Sequence, residues 1–99
     1  MCAGITTEII DNKCTITFTV DLIADNAMEF RKAYSKNKNL AQFVLDFKKI
    51  NAIDSIGFGM MLDMRETIKD KNSISIVNAN SELKNLMIEL KLDQCFTIE

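Results

Sequence analysis

The sequence predicts an α/β fold in which strands alternate with helices along one mostly parallel sheet. It opens with two runs of β-branched residues separated by turn residues, and the apolar spacing then changes to that of a helix. Later apolar runs repeat this alternation, which favours parallel strands joined by right-handed crossovers. We expect about four strands and about three helices in the order ββαβαβα.

The first two strands are predicted to form an antiparallel hairpin, Ile5 to Ile10 and Cys14 to Val20. Both runs are rich in Ile, Thr, Val and Phe, and Asp11-Asn12-Lys13 supplies turn residues between them. In the second run Ile, Phe and Val alternate with Thr. One face of that strand should therefore be buried.

The remaining elements continue the alternation of helix and strand. An amphipathic helix is predicted from Ile23 to about Asn37, and the almost continuously apolar run Phe43 to Phe47 is typical of a central strand covered on both faces. A second helix is expected from about Ser55 to Lys71, a strand from Ser73 to Val77, and a third helix from about Ser81 to Lys91.

Composition indicates one ordinary globular unit. The 99 residues are 47% hydrophobic and 26% charged, and no repeat, linker or low-complexity stretch divides them, so we expect a single domain over residues 1–99. The net charge of -2, with lysines interspersed among acids, argues against nucleic acid as a partner. With no leader pattern and no apolar window near roughly 18 residues, we expect a cytoplasmic protein without direct membrane insertion.

The residue types needed for catalysis or metal binding are scarce. There is no histidine, and the three cysteines, Cys2, Cys14 and Cys95, have no paired short spacing. A zinc site would therefore lack its further ligands, and a cysteine nucleophile would lack a histidine as its base. We expect free thiols in a reducing cytosol, no metal, no cofactor and no enzymatic activity.

The stretch from Asp54 to Met61, which opens the second helix, calls for a functional explanation. It holds two of the three glycines, and glycine within a helix costs about 0.5 to 1 kcal/mol relative to alanine, which indicates close approach of another chain or element. Ser55 is predicted to be the N-cap residue. A serine there could equally hold a phosphate beside the positive end of the helix dipole, so a plain cap and a modification site both stay open.

Helical geometry divides the second helix into two faces. One arc is predicted to face the sheet and contains Gly57, Met60, Met61, Met64 and Ile68. Phe58 and Leu62 lie on a neighbouring arc with Arg65 and Lys69, where they either pack on an adjacent helix or form a partner-binding face.

A dinucleotide-binding loop is excluded at this segment. The third glycine of that fingerprint is missing, and Gly57 comes ten residues after Phe47 and not directly after a strand.

Three blocks of the sequence resemble segments of a known family. Phe43 to Phe47 resembles the family's central apolar strand, and Asp54 to Gly59 resembles its Asp-Ser-Ser/Thr-Gly-apolar-Gly signature. Asn78 to Met87 resembles the strand-to-helix segment that follows. The chain thus resembles a STAS domain of the bacterial anti-sigma-factor antagonist type over nearly its whole length, and the predicted order of elements is also that family's order.

The resemblance implies a phosphoprotein that acts by partner switching in signal transduction and transcription regulation. In this family the unmodified domain binds a serine-kinase anti-sigma factor or a similar regulator, and the kinase phosphorylates the serine after the aspartate, here Ser55. A PP2C-type phosphatase restores binding. The ATP belongs to the kinase, so no cofactor is implied, and self-association stays open. The implied partner-binding residues are Asp21, Asp54, Ser55, Ile56, Gly57, Phe58, Gly59 and Leu62.

Two positions depart from the family pattern. Ile56 stands where a second Ser or Thr is usual, so Ser55 is the only hydroxyl residue available. Thr19-Val20-Asp21 keeps the aspartate of the family's Gly-x-Leu-Asp turn but lacks its glycine. An alternative function is a STAS-like accessory subunit of a transporter or its ATPase, which binds constitutively and uses Ser55 only as a helix cap.

Overall fold

The computed structural model describes residues 4–68 and 73–99, which form a five-stranded sheet with three α-helices. The elements are β1 (Ile5–Ile10), β2 (Lys13–Phe18), α1 (Ala24–Lys36), β3 (Gln42–Asp46), α2 (Ser55–Thr67), β4 (Ile74–Val77), α3 (Ser81–Glu89), a 3₁₀ turn (Leu92–Gln94) and β5 (Thr97–Ile98). β1 pairs antiparallel with β2, and the other pairs are parallel in the order β1-β2-β3-β4-β5. The predicted mixed α/β fold is confirmed.

The strand count differs from the expected four because of β5. This strand has only two residues, Thr97 and Ile98, which pair in parallel with Ser75 and Ile76 of β4. Two residues are too few to show an alternating pattern, so the sequence gives no signal for a strand there.

The helix ends also differ from the prediction. The described part of α2 ends at Thr67, because Ile68 has an extended backbone (φ -92°, ψ 106°). The rest of the predicted second helix, including Lys69 and Lys71, lies outside the described residues. The third helix ends at Glu89, and Lys91, with a left-handed φ of 62°, turns the chain away from the helix axis.

The strand order places all three helices on one side of the sheet. β2 to β5 lie side by side in sequence order, and right-handed crossovers that advance in one direction return over the same face. On β2 to β4 the helix-covered face is fully buried, and with the residue after β3 it contains Cys14, Ile16, Phe18, Phe43, Leu45, Phe47, Ile74 and Ile76. The expectation that β3 is covered on both faces is therefore corrected, because Val44 and Asp46 alternate with these residues and are only half-buried.

Four aromatic rings connect the sheet to α1. Phe18 lies 5.3 Å from Phe30 and 5.2 Å from Phe47, and Phe30 lies 4.9 Å from Tyr34, measured between ring centroids. All four side chains are fully buried. Burial of each is worth about 1.5 to 3 kcal/mol, and each edge-to-face pair adds about 0.5 to 1.5 kcal/mol.

Tyr34 also links α1 to α2 through its hydroxyl. The hydroxyl donates a hydrogen bond to the carboxylate of Asp63, and Nε of Arg31 lies 3.7 Å from the same carboxylate oxygen. Burial first, and then the neighbouring Asp63 carboxylate, raise the pKa of the Tyr34 hydroxyl above its ordinary value. The hydroxyl therefore keeps its proton and remains a donor at neutral pH.

We expect Tyr34→Phe to lower the free energy of unfolding by about 1 to 2 kcal/mol, because Asp63 loses its donor while the ring packing is kept. Urea denaturation of the variant and the parent measures this loss. In an Asp63→Ala background the same substitution should cost clearly less. An equal loss in both backgrounds would show that the hydroxyl–carboxylate contact contributes nothing.

Candidate functional site

The candidate site lies at the carboxyl edge of the parallel strands, where the loops after β2 and β3 run side by side. The N–H of Leu22 donates to the carbonyl of Ala52 at 3.2 Å, and the N–H of Asp54 donates to the carbonyl of Leu22 at 3.3 Å. Leu22 also pairs with Ile53 as an isolated parallel bridge. The two loops therefore continue the β2–β3 pairing up to the start of α2.

Asp21 joins the same two loops through its side chain. One carboxylate oxygen accepts from the N–H groups of Asn51 at 2.8 Å and Ala52 at 3.2 Å. The Asp21 carbonyl accepts from the side-chain amide of Asn26 at 2.8 Å. The resemblance implied only a partner-binding role for Asp21, and the structure shows in addition that this residue holds the loop before α2.

Asp54 is the N-cap residue of α2, which corrects the prediction that Ser55 holds this position. Its Oδ1 accepts from the N–H of Gly57 at 2.8 Å, and its Oδ2 accepts from the N–H of Ala24 at 3.0 Å. Ala24 is the first residue of α1, whose own N-cap residue, Ile23, makes no side-chain hydrogen bond. A carboxylate has two separate acceptor oxygens, so that one can bond to each helix, whereas a hydroxyl offers a single oxygen.

Ser55 consequently becomes the first residue of α2 and is exposed. Because Asp54 supplies the cap, the start of the helix does not depend on the Ser55 hydroxyl. Ser55, Gly59 and Leu62 follow one another at the i, i+4, i+7 spacing of a single helix face, and all three are exposed. Ile56 lies beside them with half of its side chain exposed (50%).

These four residues, Ser55, Ile56, Gly59 and Leu62, form an exposed stripe that we call the α2 stripe.

The arc predicted to face the core is confirmed, because Gly57, Met61, Met64 and Ile68 are buried and Met60 is half-buried. Phe58 and Leu62, the predicted apolar pair, do not share the same surroundings. Phe58 packs partly against the core, whereas Leu62 is 47% exposed.

The two glycines of α2 have different surroundings. A Cβ at Gly57 would lie 2.1 Å from the carbonyl oxygen of Leu22 and 2.9 Å from Cγ2 of Ile53, whereas a Cβ at Gly59 would meet nothing within 4 Å. Close approach of another element is thus confirmed for Gly57, and that element is the loop before α1 and not the sheet. Among residues 4–68 and 73–99, nothing requires a glycine at position 59.

A groove that the sequence did not reveal lies next to this site. It has a volume of about 450 Å³ and runs between the loop before α2 and the helix α3. Its lining consists of Asn51, Ala52, Ile53, Glu82, Leu83, Asn85, Leu86 and Glu89. The side chain of Asn80 holds its two walls together, because it accepts from the N–H of Leu83 at 2.8 Å and donates to the carbonyl of Ile50 at 3.4 Å.

The described residues contain no group of three or more His, Cys, Asp or Glu residues that could hold a metal ion. Cys14 is a buried free thiol whose pKa is raised by burial, and Cys95 is a half-buried free thiol. Cys2 lies outside the described part of the chain. Within residues 4–68 and 73–99, no helix is long and apolar enough to cross a membrane.

Alanine at the two glycines should change stability in opposite directions. We expect Gly57→Ala to lower the free energy of unfolding by at least about 1 to 3 kcal/mol, because the backbone carbonyl of Leu22 must move. Gly59→Ala should raise it by about 0.5 to 1 kcal/mol through helix propensity. Chemical denaturation of both variants tests this, and shifts of the same sign would contradict the assignment.

The two hydrogen bonds to Asp54 should make stability depend on pH. The bond from Gly57 first, and then the bond from Ala24, lower the pKa of Asp54 below its ordinary value. A lowered folded-state pKa stabilises the fold above the unfolded value, and this contribution is lost as the pH falls through the folded-state pKa. The parent should therefore have a higher Tm than Asp54→Asn at pH 7, and the difference should vanish in strong acid.

Asp25→Asn is the matched control for this experiment, because it removes the same charge from an exposed residue in the first turn of α1. It should lower the Tm at pH 7 by less than Asp54→Asn. Equal effects of the two substitutions at every pH would mean that the bridge between the two helices contributes no stability beyond the charge itself.

Comparison with known proteins identifies the family. The family model of the STAS domain matches residues 4–99. The search of curated proteins gives no match. Among solved structures, a protein from Thermotoga maritima described as a candidate anti-sigma factor antagonist is 20% identical with a TM-score of 0.83, and the alignment covers 97% of this chain and 86% of that chain.

Three further solved structures extend the comparison. The anti-sigma factor antagonist SpoIIAA in its unphosphorylated form is 12% identical, with a TM-score of 0.71 and coverage of 93% of this chain and 86% of that chain. The phosphorylated form from Bacillus is 14% identical, also with a TM-score of 0.71 and coverage of 96% and 90%. The murine anion transporter Slc26a9 is 18% identical with a TM-score of 0.68, covering 83% of this chain but 14% of that chain. The structural likenesses show the shared fold, and the match over residues 4–99 shows that this chain belongs to the STAS domain family.

Proposed function

We propose that this chain is a regulatory binding protein of the anti-sigma-factor antagonist type, switched by phosphorylation of Ser55. The observation that carries the proposal is that two adjacent residues, Asp54 and Ser55, have different roles. Asp54 holds the cap of α2, while Ser55 is exposed at the first position of the same helix. A group added to the Ser55 hydroxyl therefore leaves the capping hydrogen bonds in place.

The start of α2 can accept a phosphate without unfolding. A phosphoserine carries a charge of about -1.5 to -2 at pH 7, and negative charge is favourable at the positive end of a helix dipole. The Asp54 carboxylate opposes this effect by repulsion, because it lies beside Ser55. The modified protein should stay folded, and its surface at this point should become strongly negative.

The α2 stripe is the surface that such a charge would alter. Ile56 and Leu62 each expose about half of the side chain, and Gly59 between them carries no side chain to keep a partner away. Apolar residues around a bare backbone suit a closely packed contact with another protein. A phosphate within that contact would have to be buried or paired, and an unpaired buried charge costs several kcal/mol.

The partner we propose is a serine-kinase anti-sigma factor or a similar regulator, which binds the unmodified protein and phosphorylates Ser55. A PP2C-type phosphatase then removes the phosphate. Family membership supports this proposal, as does the likeness to SpoIIAA, which has been solved in both its unphosphorylated and phosphorylated forms. In this cycle the kinase brings the ATP, and the chain acts in the cytoplasm as a non-enzymatic binding partner that needs no cofactor of its own.

A second candidate function is suggested by the likeness to the anion transporter Slc26a9. In that case the chain would be a STAS-like accessory subunit of a transporter or its ATPase. Binding would be constitutive, and Ser55 would serve only as the first residue of a helix. The two functions differ in whether charge at Ser55 changes binding.

We expect Ser55→Asp to weaken binding of the captured partner about a hundredfold, whereas Ser55→Ala stays close to the parent, because only the aspartate adds a charge to the contact. The free energy of unfolding of both variants should lie within about 0.5 kcal/mol of that of the parent. Calorimetric titration measures the affinities, with a partner captured from native lysate by the Ser55→Ala protein. Phosphorylation of the parent by that partner with ATP, at Ser55, is the direct test of the kinase role.

Ser81→Asp is a matched control for the charge. Ser81 is the exposed first residue of α3, directly after an N-cap residue, Asn80, that accepts from the N–H of Leu83. The substitution thus adds the same charge at the same helix position away from the α2 stripe, and binding should be unchanged. Comparable affinities of the Ser55→Ala and Ser55→Asp proteins would instead favour the constitutive transporter subunit.

A further inference from the structure

β1 is an open edge strand without the usual protection. It pairs with β2 over six residues in continuous register, and among the described residues no strand lies on its other side. All of its residues except Ile5 are exposed, and Ile9 and Ile10 expose 51% and 56% of their surface. Edge strands of natural proteins usually carry charged residues, above all lysine, or proline or a bulge that prevents pairing with another chain. β1 has no lysine, proline or bulge, and Glu8 is its single charged residue.

The hydrogen-bond pattern shows which backbone groups of β1 face outward. The N–H of Thr19 donates to the carbonyl of Gly4 at 2.7 Å, which makes this a hydrogen-bonded pair in the register that joins Ile5 to Phe18. In an antiparallel ladder hydrogen-bonded and non-hydrogen-bonded pairs alternate. The even-numbered residues of β1 therefore bond to β2, and the outward N–H and C=O groups belong to Ile5, Thr7 and Ile9.

β5, the strand at the opposite edge of the sheet, is too short to pair with all of these outward groups. β5 consists of two residues, so head-to-tail pairing of β1 with β5 of another copy would match only a third of β1. Pairing of β1 with β1 uses the full length and closes after two copies. The lengths of the two edge strands thus favour a symmetric dimer over an open chain of copies.

We propose that β1 pairs with β1 of a second copy of this chain, antiparallel, about a two-fold axis through Thr7. This register hydrogen-bonds Thr7 to Thr7 and Ile5 to Ile9 of the second copy, using all three outward residues. It also places Thr6 opposite Glu8. Two neighbouring registers keep the same faces together. The one centred on Glu8 sets Glu8 against Glu8, and like charges directly opposite are destabilising, while the one centred on Thr6 places Ile9 beyond the end of the partner strand.

The helix-covered side of β1 provides a groove with polar and apolar lining residues for this arrangement. A groove of about 170 Å³ lies between β1 and α1 and is lined by Ile5, Thr7, Glu29, Lys32, Ala33, Lys36 and Asn37. Ile5, Thr7 and Ile9 lie on the same side of the strand. Ile9 of the second copy, opposite Ile5, therefore reaches this groove and is covered there.

Sedimentation velocity at increasing protein concentration tests the dimer. The parent should change from monomer to dimer between low and high micromolar concentration, as expected for a small interface. Thr7→Pro removes an outward N–H and leaves the hydrogen bonds between β1 and β2 intact. It should weaken the dimer about tenfold or more, because two symmetric hydrogen bonds between the copies are lost. Circular dichroism checks that the variant is folded.

Two lysine substitutions test the register. Ile9→Lys should weaken the dimer about tenfold, because it alters both symmetric Ile5–Ile9 contacts. Ile10→Lys is the matched control, since Ile10 is equally exposed but lies on the other face of the strand and outside these contacts. Equal weakening by the two variants would overturn the Thr7-centred register.

Hydrogen exchange gives a measurement that needs no variant. As concentration rises, the amides of Thr7 and Ile9 should become protected, while those of Thr6 and Glu8 are already bonded to β2 and should change little. A parent that stays monomeric at all concentrations would overturn the proposal. So would a dimer in which the β1 amides stay unprotected, because it would use another surface.

Discussion

The site depends on the hydrogen bonds of the Asp54 carboxylate, because its two oxygens cap two helices that begin at Ala24 and at Ser55. One oxygen caps α2 at Gly57, and the other caps α1 at Ala24. The contact brings the loop before α1 so close to α2 that position 57 has no room for a side chain. Asp21 reinforces the same junction from the other loop. The start of α2 is thus fixed by long-range contacts and not by its own sequence alone.

The strand order explains why the molecule has several separate surfaces. All crossovers run in one direction, so the helices cover one face of the sheet, and the strand ends, the open sheet face and the β1 edge are left for other uses. The α2 stripe belongs to the helix between β3 and β4, whereas β1 is separated from β3 by β2. In the proposals above, self-pairing at β1 and partner binding at α2 therefore do not compete for the same residues.

Local patterns predicted most of the fold, and long-range contacts account for what was missed. The hairpin followed from Asp11 and Asn12, which adopt the left-handed backbone (φ 52° and 65°) that a two-residue turn requires. The cap of α2 was assigned to the wrong residue, because Asp and Ser are equally favoured at an N-cap and the additional bond from Asp54 to Ala24, which is distant in sequence, could not be foreseen. β5 was too short to produce a pattern. Helical spacing separated the two glycines, because it placed Gly57 but not Gly59 on the buried arc. The sequence could not show that the close neighbour of Gly57 is the carbonyl of Leu22 and not the sheet.

The family signature joins an aspartate to a serine, and the structure gives a physical reason for keeping the two together. A residue that holds a fold together is a poor position for a reversible modification, because each cycle would then alter stability. Here the aspartate carries the hydrogen bonds of the junction, and the neighbouring serine carries none of them. In the proposed switch, a phosphate on Ser55 therefore acts on the surface and not on the fold. The added charge then lowers the affinity for the partner and leaves the stability of the fold little changed. The apolar side chains of the α2 stripe make a buried charge costly.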